Sequence, residues 1–163
     1  MENRRTPDRT FETFPLNTSG DVFGPLEGFV TLWKTKHDAR GDLPIWRDFD
    51  IMDFEGWWGQ ISMAEISLDP VDLTFRLWGT KLTDWWGFDY TNKSFAKTTL
   101  NLNSWIKKEQ QYIADFAAEP KFGMLKGTLA EKGHDYHWVT AVDLPLGADG
   151  KVTHMLSAYR LVD

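Results

Sequence analysis

The chain has 163 residues, a formal net charge of −6 and no cysteine. That length makes one domain around a single core, and the missing thiol excludes disulfides, thiolate nucleophiles, iron–sulfur clusters and cysteine-based zinc sites. The longest charge-free runs, 56–64 and 98–106, are nine residues each, against the roughly 20 that a membrane span needs.

The amino-terminal MENRRTPDRT carries no apolar run of the secretory kind, so a cytoplasmic protein is expected. Basic residues alternate with acids around Arg4, Arg5 and Arg9 and again at Lys107–Lys108, which argues against a nucleic-acid partner. Aromatic residues make up 15% of the chain and five of the nine tryptophans fall between 57 and 86. Rings in that number mean a thick core, a ligand cavity or an adhesive surface.

Residues 1–24, with Pro7, Pro15, Gly20 and Gly24 and no periodicity, read as an extended arm. Phe11, Phe14, Leu16, Val22 and Phe23 give it more apolar surface than a disordered tail carries, so it is expected to dock on the body, residues 25–163, or on a second copy. The first helix opens at Pro25, sets Leu26, Phe29, Val30 and Trp33 at helical spacing, and stops at Gly41. His37 continues that stripe as a histidine at the margin of the core. The acidic stretch with Asp48, Asp50, Asp53 and Glu55 lacks the central glycine of a calcium loop and is interrupted by Met52 and Phe54, so no metal is expected there.

Strands are expected at 60–67 and 71–78, joined by the turn Leu68-Asp69-Pro70. Unbroken alternation in the second places Val71, Leu73, Phe75 and Leu77 on the core face, and Asp72, Thr74, Arg76 and Trp78 on a mixed face where Trp78 would meet a partner. A short helix from Thr80 presents Leu82, Trp85 and Trp86 and ends at Gly87. The longest helix spans 103–119, with Trp105, Ile106, Tyr112, Ile113, Phe116 and Ala117 as its apolar stripe. Glu109 sits within the stripe, where a carboxylate must be solvated, paired or hydrogen-bonded; its expected place is the edge, reaching water.

Strand-like runs at 121–130, 135–144 and 151–161 follow, with hairpin links at 131–133 and at Pro145–Gly150, which contains Asp149-Gly150. The expected fold is α+β, one five-stranded antiparallel sheet with the helices on one face. No phosphate loop, dinucleotide fingerprint, nucleophile elbow or H-E-x-x-H motif is present. His134 and His137 lie three apart on a strand and so face opposite ways, unable to chelate one metal.

Phe75, Arg76, Gly79, Thr80, Gly87, Asp89 and Thr91 form an aromatic–Arg strand, Gly-Thr, a short helix and a Gly-aromatic-Asp turn. Upstream lie Trp33, Gly41, Leu43, Pro44, Arg47, Asp50 and Asp53; downstream, the hairpin 144–159 runs from Leu-Pro-Leu through Asp-Gly. In this order the chain, over roughly 26–162, resembles the PAS-like family common in alphaproteobacteria, with Asn92 where that family has glycine and Ile51 where it has proline. The resemblance implies a curved antiparallel sheet, helices between its second and third strands, and a sensory or interaction module that pairs as a homodimer and signals to a protein partner. It also implies no LOV-type flavin–cysteinyl adduct, since there is no cysteine, and no haem, since none of the four histidines matches a haem-binding position. No output segment follows Asp163, so a stand-alone module is expected.

Three functional readings follow. In the first, Trp85, Trp86, Tyr112, Phe116, Met124 and Trp138 line a pocket for a small apolar or aromatic ligand, with Glu109 or Arg76 as polar selector; the same side chains would equally fill a ligand-free core. In the second, the protein is an interaction adaptor, with Phe11, Phe14, Val22, Phe23 and Trp78 as interface. In the third, a cone-shaped α+β enzyme builds a buried acid–base pair from Glu109, Asp53 or His137. No catalytic residue is expected under the first two readings.

Overall fold

A computed structural model describes residues 9–98, 103–129 and 134–162 as an α+β fold around one six-stranded antiparallel sheet. Strand β1 (Arg9–Phe14) leads through a 3-10 segment (Gly20–Leu26) into helix α1 (Glu27–Arg40). Two short 3-10 turns precede the hairpin of β2 (Ile61–Leu68) and β3 (Val71–Trp78). Helices α2 (Thr80–Trp86), α3 (Phe95–Thr98) and α4 (Asn103–Ala118) then cross to β4 (Phe122–Leu129), β5 (His134–Ala148) and β6 (Lys151–Val162). The spatial order is β1-β4-β5-β6-β2-β3.

The sixth strand comes from the arm. β1 pairs along β4 from Arg9↔Gly127 to Phe14↔Phe122, turning a quarter of the expected docking arm into a sheet edge. Alternation along the central strands sends apolar side chains to both faces, because both are covered. Val142, Leu144, Leu156 and Ala158 pack with Phe23, Phe29, Val30 and Trp33 under α1, while Val139, Ala141 and Met155 pack with Leu82, Trp86, Ile113 and Phe116 under α2 and α4. The helices therefore flank the sheet rather than share one face. The Trp33 indole N–H donates to the carbonyl of Pro145 at 2.8 Å, tying α1 to β5, and His37 stacks on the same indole at 5.0 Å.

A β-bulge changes what β3 presents. Pairing runs Ser62↔Trp78 and Met63↔Leu77, then jumps to Ala64↔Phe75. The extra residue, Arg76, breaks the alternation. Leu77 turns to the α1 core and Trp78 joins Phe75 under α4, the reverse of the assignment that unbroken alternation requires.

The acidic stretch after α1 serves as a set of caps. Asp48 clamps Arg40 with two 2.6 Å bonds and accepts from the amide of Ile45; Asp50 accepts from the amide of Met52 and Asp53 from that of Asp50. Glycine closes α1 and α2 at Gly41 and Gly87, with φ of 74° and 71°. The last hairpin turns at Asp149-Gly150, both residues at positive φ as a two-residue loop demands. Among the described residues no helix is long and apolar enough to cross a membrane.

Candidate functional site

The side chains that α4 presents at i, i+3 and i+4, namely Glu109, Tyr112 and Ile113, meet the sheet over its β4–β5–β6 centre and enclose a cavity of about 60 Å3. Leu73, Phe75 and Trp78 of β3, Trp86 of α2, Tyr90 and Phe95 form its far wall, and Arg9 and Phe11 of β1 its near one. The floor is polar. Asp143 of β5 and Ser157 and Tyr159 of β6 project there, on the face opposite α1.

A missing side chain makes room for this floor. Gly123 is the register partner of Asp143, and a Cβ on it would fall 1.8 Å from the Tyr112 hydroxyl. Through that gap Tyr112 donates to Asp143 at 2.5 Å, and the Ser157 hydroxyl donates to the other carboxylate oxygen at 2.5 Å. Tyr159 and Ser62 share a hydrogen bond of 2.9 Å beside them. Phe11 stacks on Tyr112 at 4.6 Å from the open side.

Burial pushes the Asp143 carboxyl up from the ordinary carboxylate range, against the opposing pull of its bonds from Ser157 and Tyr112. The Tyr112 hydroxyl is held well above the usual phenol range, first by burial and then by the neighbouring Asp143, and Tyr159 is raised for the same two reasons. Both tyrosines are therefore protonated at neutral pH, hydrogen-bond donors rather than bases. The Trp78 indole N–H, also buried in this wall, has no partner among the described residues. Glu109 is buried and paired with Arg9 at 3.3 Å, not held at the edge of the stripe in water.

Of the residues proposed from sequence for a pocket, Trp86, Glu109 and Tyr112 meet in this cavity. Phe116 is fully buried in the same cluster without lining the space, and Trp85 packs half-buried against it. Arg76 does not enter: the bulge leaves it exposed on β3, bonded to Glu65 and Asn92. Met124 and Trp138 occupy even positions of β4 and β5 and so face the α1 side, where they line a separate groove with Val22 and Phe23.

Four of the five residues proposed as an interface are packed within the fold. Phe11 covers Tyr112, Phe14 meets Phe23 edge-on at 5.4 Å, and Phe23 is fully buried; Val22 alone of the arm's candidates is exposed. Trp78, placed on the surface by simple alternation, is buried in the cavity wall. Of the acid–base candidates, Glu109 reaches the cavity, Asp53 pairs with Lys36 of α1 at 3.0 Å, and the His137 side chain lies outside the described residues, as do those of Trp105 and Ile106.

Sequence reasoning missed Arg9, Asp143, Ser157 and Tyr159. A signal existed for Asp143. Val139 and Ala141, the residues before Asp143 on its face of β5, are apolar, so the carboxylate had to point into a core and find donors there. No protein-family model, curated protein or solved structure matches this chain.

Proposed function

We propose that the protein is a PAS-type sensory module that recognises a small planar or aromatic molecule in the cavity between α4 and the sheet. The observation that carries this reading is an aromatic-walled cavity with a buried, unpartnered donor, the Trp78 indole N–H, beside a polar floor. The order of elements supports the family: α2, α3 and α4 fall between β3 and β4, the second and third of the five strands that follow the arm. A carbonyl, ring nitrogen or carboxylate would take the indole hydrogen while its ring lies against Phe75 and Tyr90. The space of about 60 Å3 holds only a few heavy atoms, so a larger ligand enters by displacing Phe11 or Phe95, the half-buried rings of the lining. The signal would then leave through β1, which supplies Arg9 and Phe11 to the same wall.

The test is a thermal-shift and tryptophan-fluorescence screen of small aromatic acids, phenols and heteroaromatics. Binding that weakens about tenfold in Trp78→Phe supports the reading, that loss being of the size of one buried hydrogen bond. No shift and no quench for any class would refute it.

A second reading, an adaptor with a packed core, is favoured by one surface. Ile51 and Met52 are 72% and 61% exposed, and the half-exposed Trp58 donates to the carbonyl of Ile51 at 3.0 Å, joining them in one apolar patch. Under this reading the protein is a homodimer or a partner-bound protein through that patch. Light scattering that gives a dimer mass for the native chain and a monomer mass for Met52→Glu would support it; one mass for both would count against it.

A further inference from the structure

On the α1 face, beyond the Gly20–Leu26 segment, β4, β5 and β6 leave a groove of about 310 Å3, on the opposite side of the sheet from the cavity. Val22, Trp138 and Val162 converge on it, each between 43% and 49% exposed, so its walls are apolar side chains with nothing from the described chain covering them. Its polar atoms lie together. Lys126 of β4 and Thr140 of β5 are cross-strand partners on the same face. Thr140 is 4% exposed and its hydroxyl has no hydrogen-bond partner among the described residues, which is uncommon for a buried hydroxyl. Lys126 is the one charged residue among the described residues of the lining, and Glu12 of β1, the cross-strand partner of Met124, lies beside it on the same face.

We infer that this groove binds a free medium-chain monocarboxylate. The carboxylate accepts from the Lys126 ammonium and the Thr140 hydroxyl, and the alkyl chain lies against Val22, Trp138 and Val162. Charge selects the head: a cation would meet the Lys126 ammonium of the lining, and a neutral alcohol would forgo the ion pair. Volume selects the tail. At 310 Å3 the groove stands at the small end of ligand sites, which suits a chain of roughly eight to ten carbons.

The experiment is calorimetric titration of the full chain with straight-chain carboxylates from hexanoate to dodecanoate, below their micelle-forming concentrations. Affinity should rise about fourfold per added methylene, the worth of one buried CH2, and level off once the groove is full. Lys126→Gln should weaken binding about tenfold. Thr140→Val should weaken it about fivefold while leaving the melting temperature of the free protein unchanged or raised, since it removes an unpartnered hydroxyl without changing shape. Trp78→Phe, in the cavity on the other face, should bind as the native chain does. No heat, an affinity indifferent to chain length, or equal binding by the Lys126 and Thr140 variants would overturn the inference. Loss of binding in Trp78→Phe would overturn it by placing the acid in the cavity. A solution mass that doubles through Trp138, with no uptake of carboxylate, would overturn it by giving the groove to a second copy.

Discussion

Adding one methyl group at Gly123 tests whether the polar floor is as tightly built as its distances imply. The new Cβ would stand 1.8 Å from the Tyr112 hydroxyl oxygen, 2.8 Å from Cζ and 3.2 Å from Cε1, where real Cβ contacts do not fall below 3.0 Å. The hydroxyl must therefore withdraw by roughly 1.2 Å from the β4–β5 surface, and the ring has little room to follow, with Phe11 stacked 4.6 Å away. Such a withdrawal breaks the 2.5 Å bond to Asp143.

Two costs add. Overpacking a core costs about 1–3 kcal/mol, and losing a hydrogen bond to a buried carboxyl about 1.5–3 kcal/mol, so Gly123→Ala should destabilise the fold by about 2.5–6 kcal/mol. Tyr112→Phe, which loses the bond without the clash, should cost about 1.5–3 kcal/mol. In the double variant the bond can be lost only once, and the remaining clash is the milder one at Cζ. The two changes should therefore fall short of additivity by about 2 kcal/mol, as contacting residues do. Urea unfolding followed by circular dichroism and tryptophan fluorescence gives all four stabilities. Additivity within about 0.5 kcal/mol would refute the argument.

Other expectations follow from the same geometry. Because Asp143 is buried with a raised pKa, the native state keeps a proton that the unfolded chain releases. Stability should thus fall as pH rises from about 3.9 through the raised native value, by at most about 1.4 kcal/mol per pH unit, and be flat above it. Asp143→Asn should abolish that fall, and an unchanged pH profile of denaturation midpoints would refute the assignment. Arg9→Met takes the guanidinium away from the buried Glu109 carboxylate and should cost up to about 3–5 kcal/mol, whereas Arg9→Met combined with Glu109→Met should recover most of it; thermal melts of the two variants decide. Arg76→Ala breaks an ion pair whose two side chains are half exposed, so it should change stability by no more than about 1 kcal/mol. It should also leave the ligand response of the cavity intact, as a titration beside Trp78→Phe would show.

Much of the scaffold was legible because its signals are local. Gly41 and Gly87 mark helix ends, Asp149-Gly150 marks a hairpin, and the stripe of α4 announces its buried face, each a signal read within a few residues, whereas Pro25 falls inside the 3-10 segment two residues before α1 begins. What was not legible depends on contacts across the chain. The arm gave no strand signal by itself, since β1 is a strand only because β4 offers it an edge. The helices were placed on one face because nothing in α1 says which side of the sheet it covers. Glu109 read as a solvated edge because its partner, Arg9, lies 100 residues away. Only a small part of the cavity was found, through Trp86, Glu109 and Tyr112, and the polar floor was not, since it is assembled from β5 and β6 opposite a glycine that only the register identifies.

The bulge at Arg76 also determines where the length of this chain can change without losing the cavity. Deleting Arg76 would restore regular pleating while leaving Leu77 opposite Met63 in the α1 core and Trp78 opposite Ser62 in the cavity wall, so the loss of this one residue would keep both side chains where they are. A related chain with a regular third strand would therefore be one residue shorter here and still wall its cavity with the residue equivalent to Trp78. In any such comparison the gap belongs at Arg76, and the indole donor should be sought one position away from where the alternating pattern puts it.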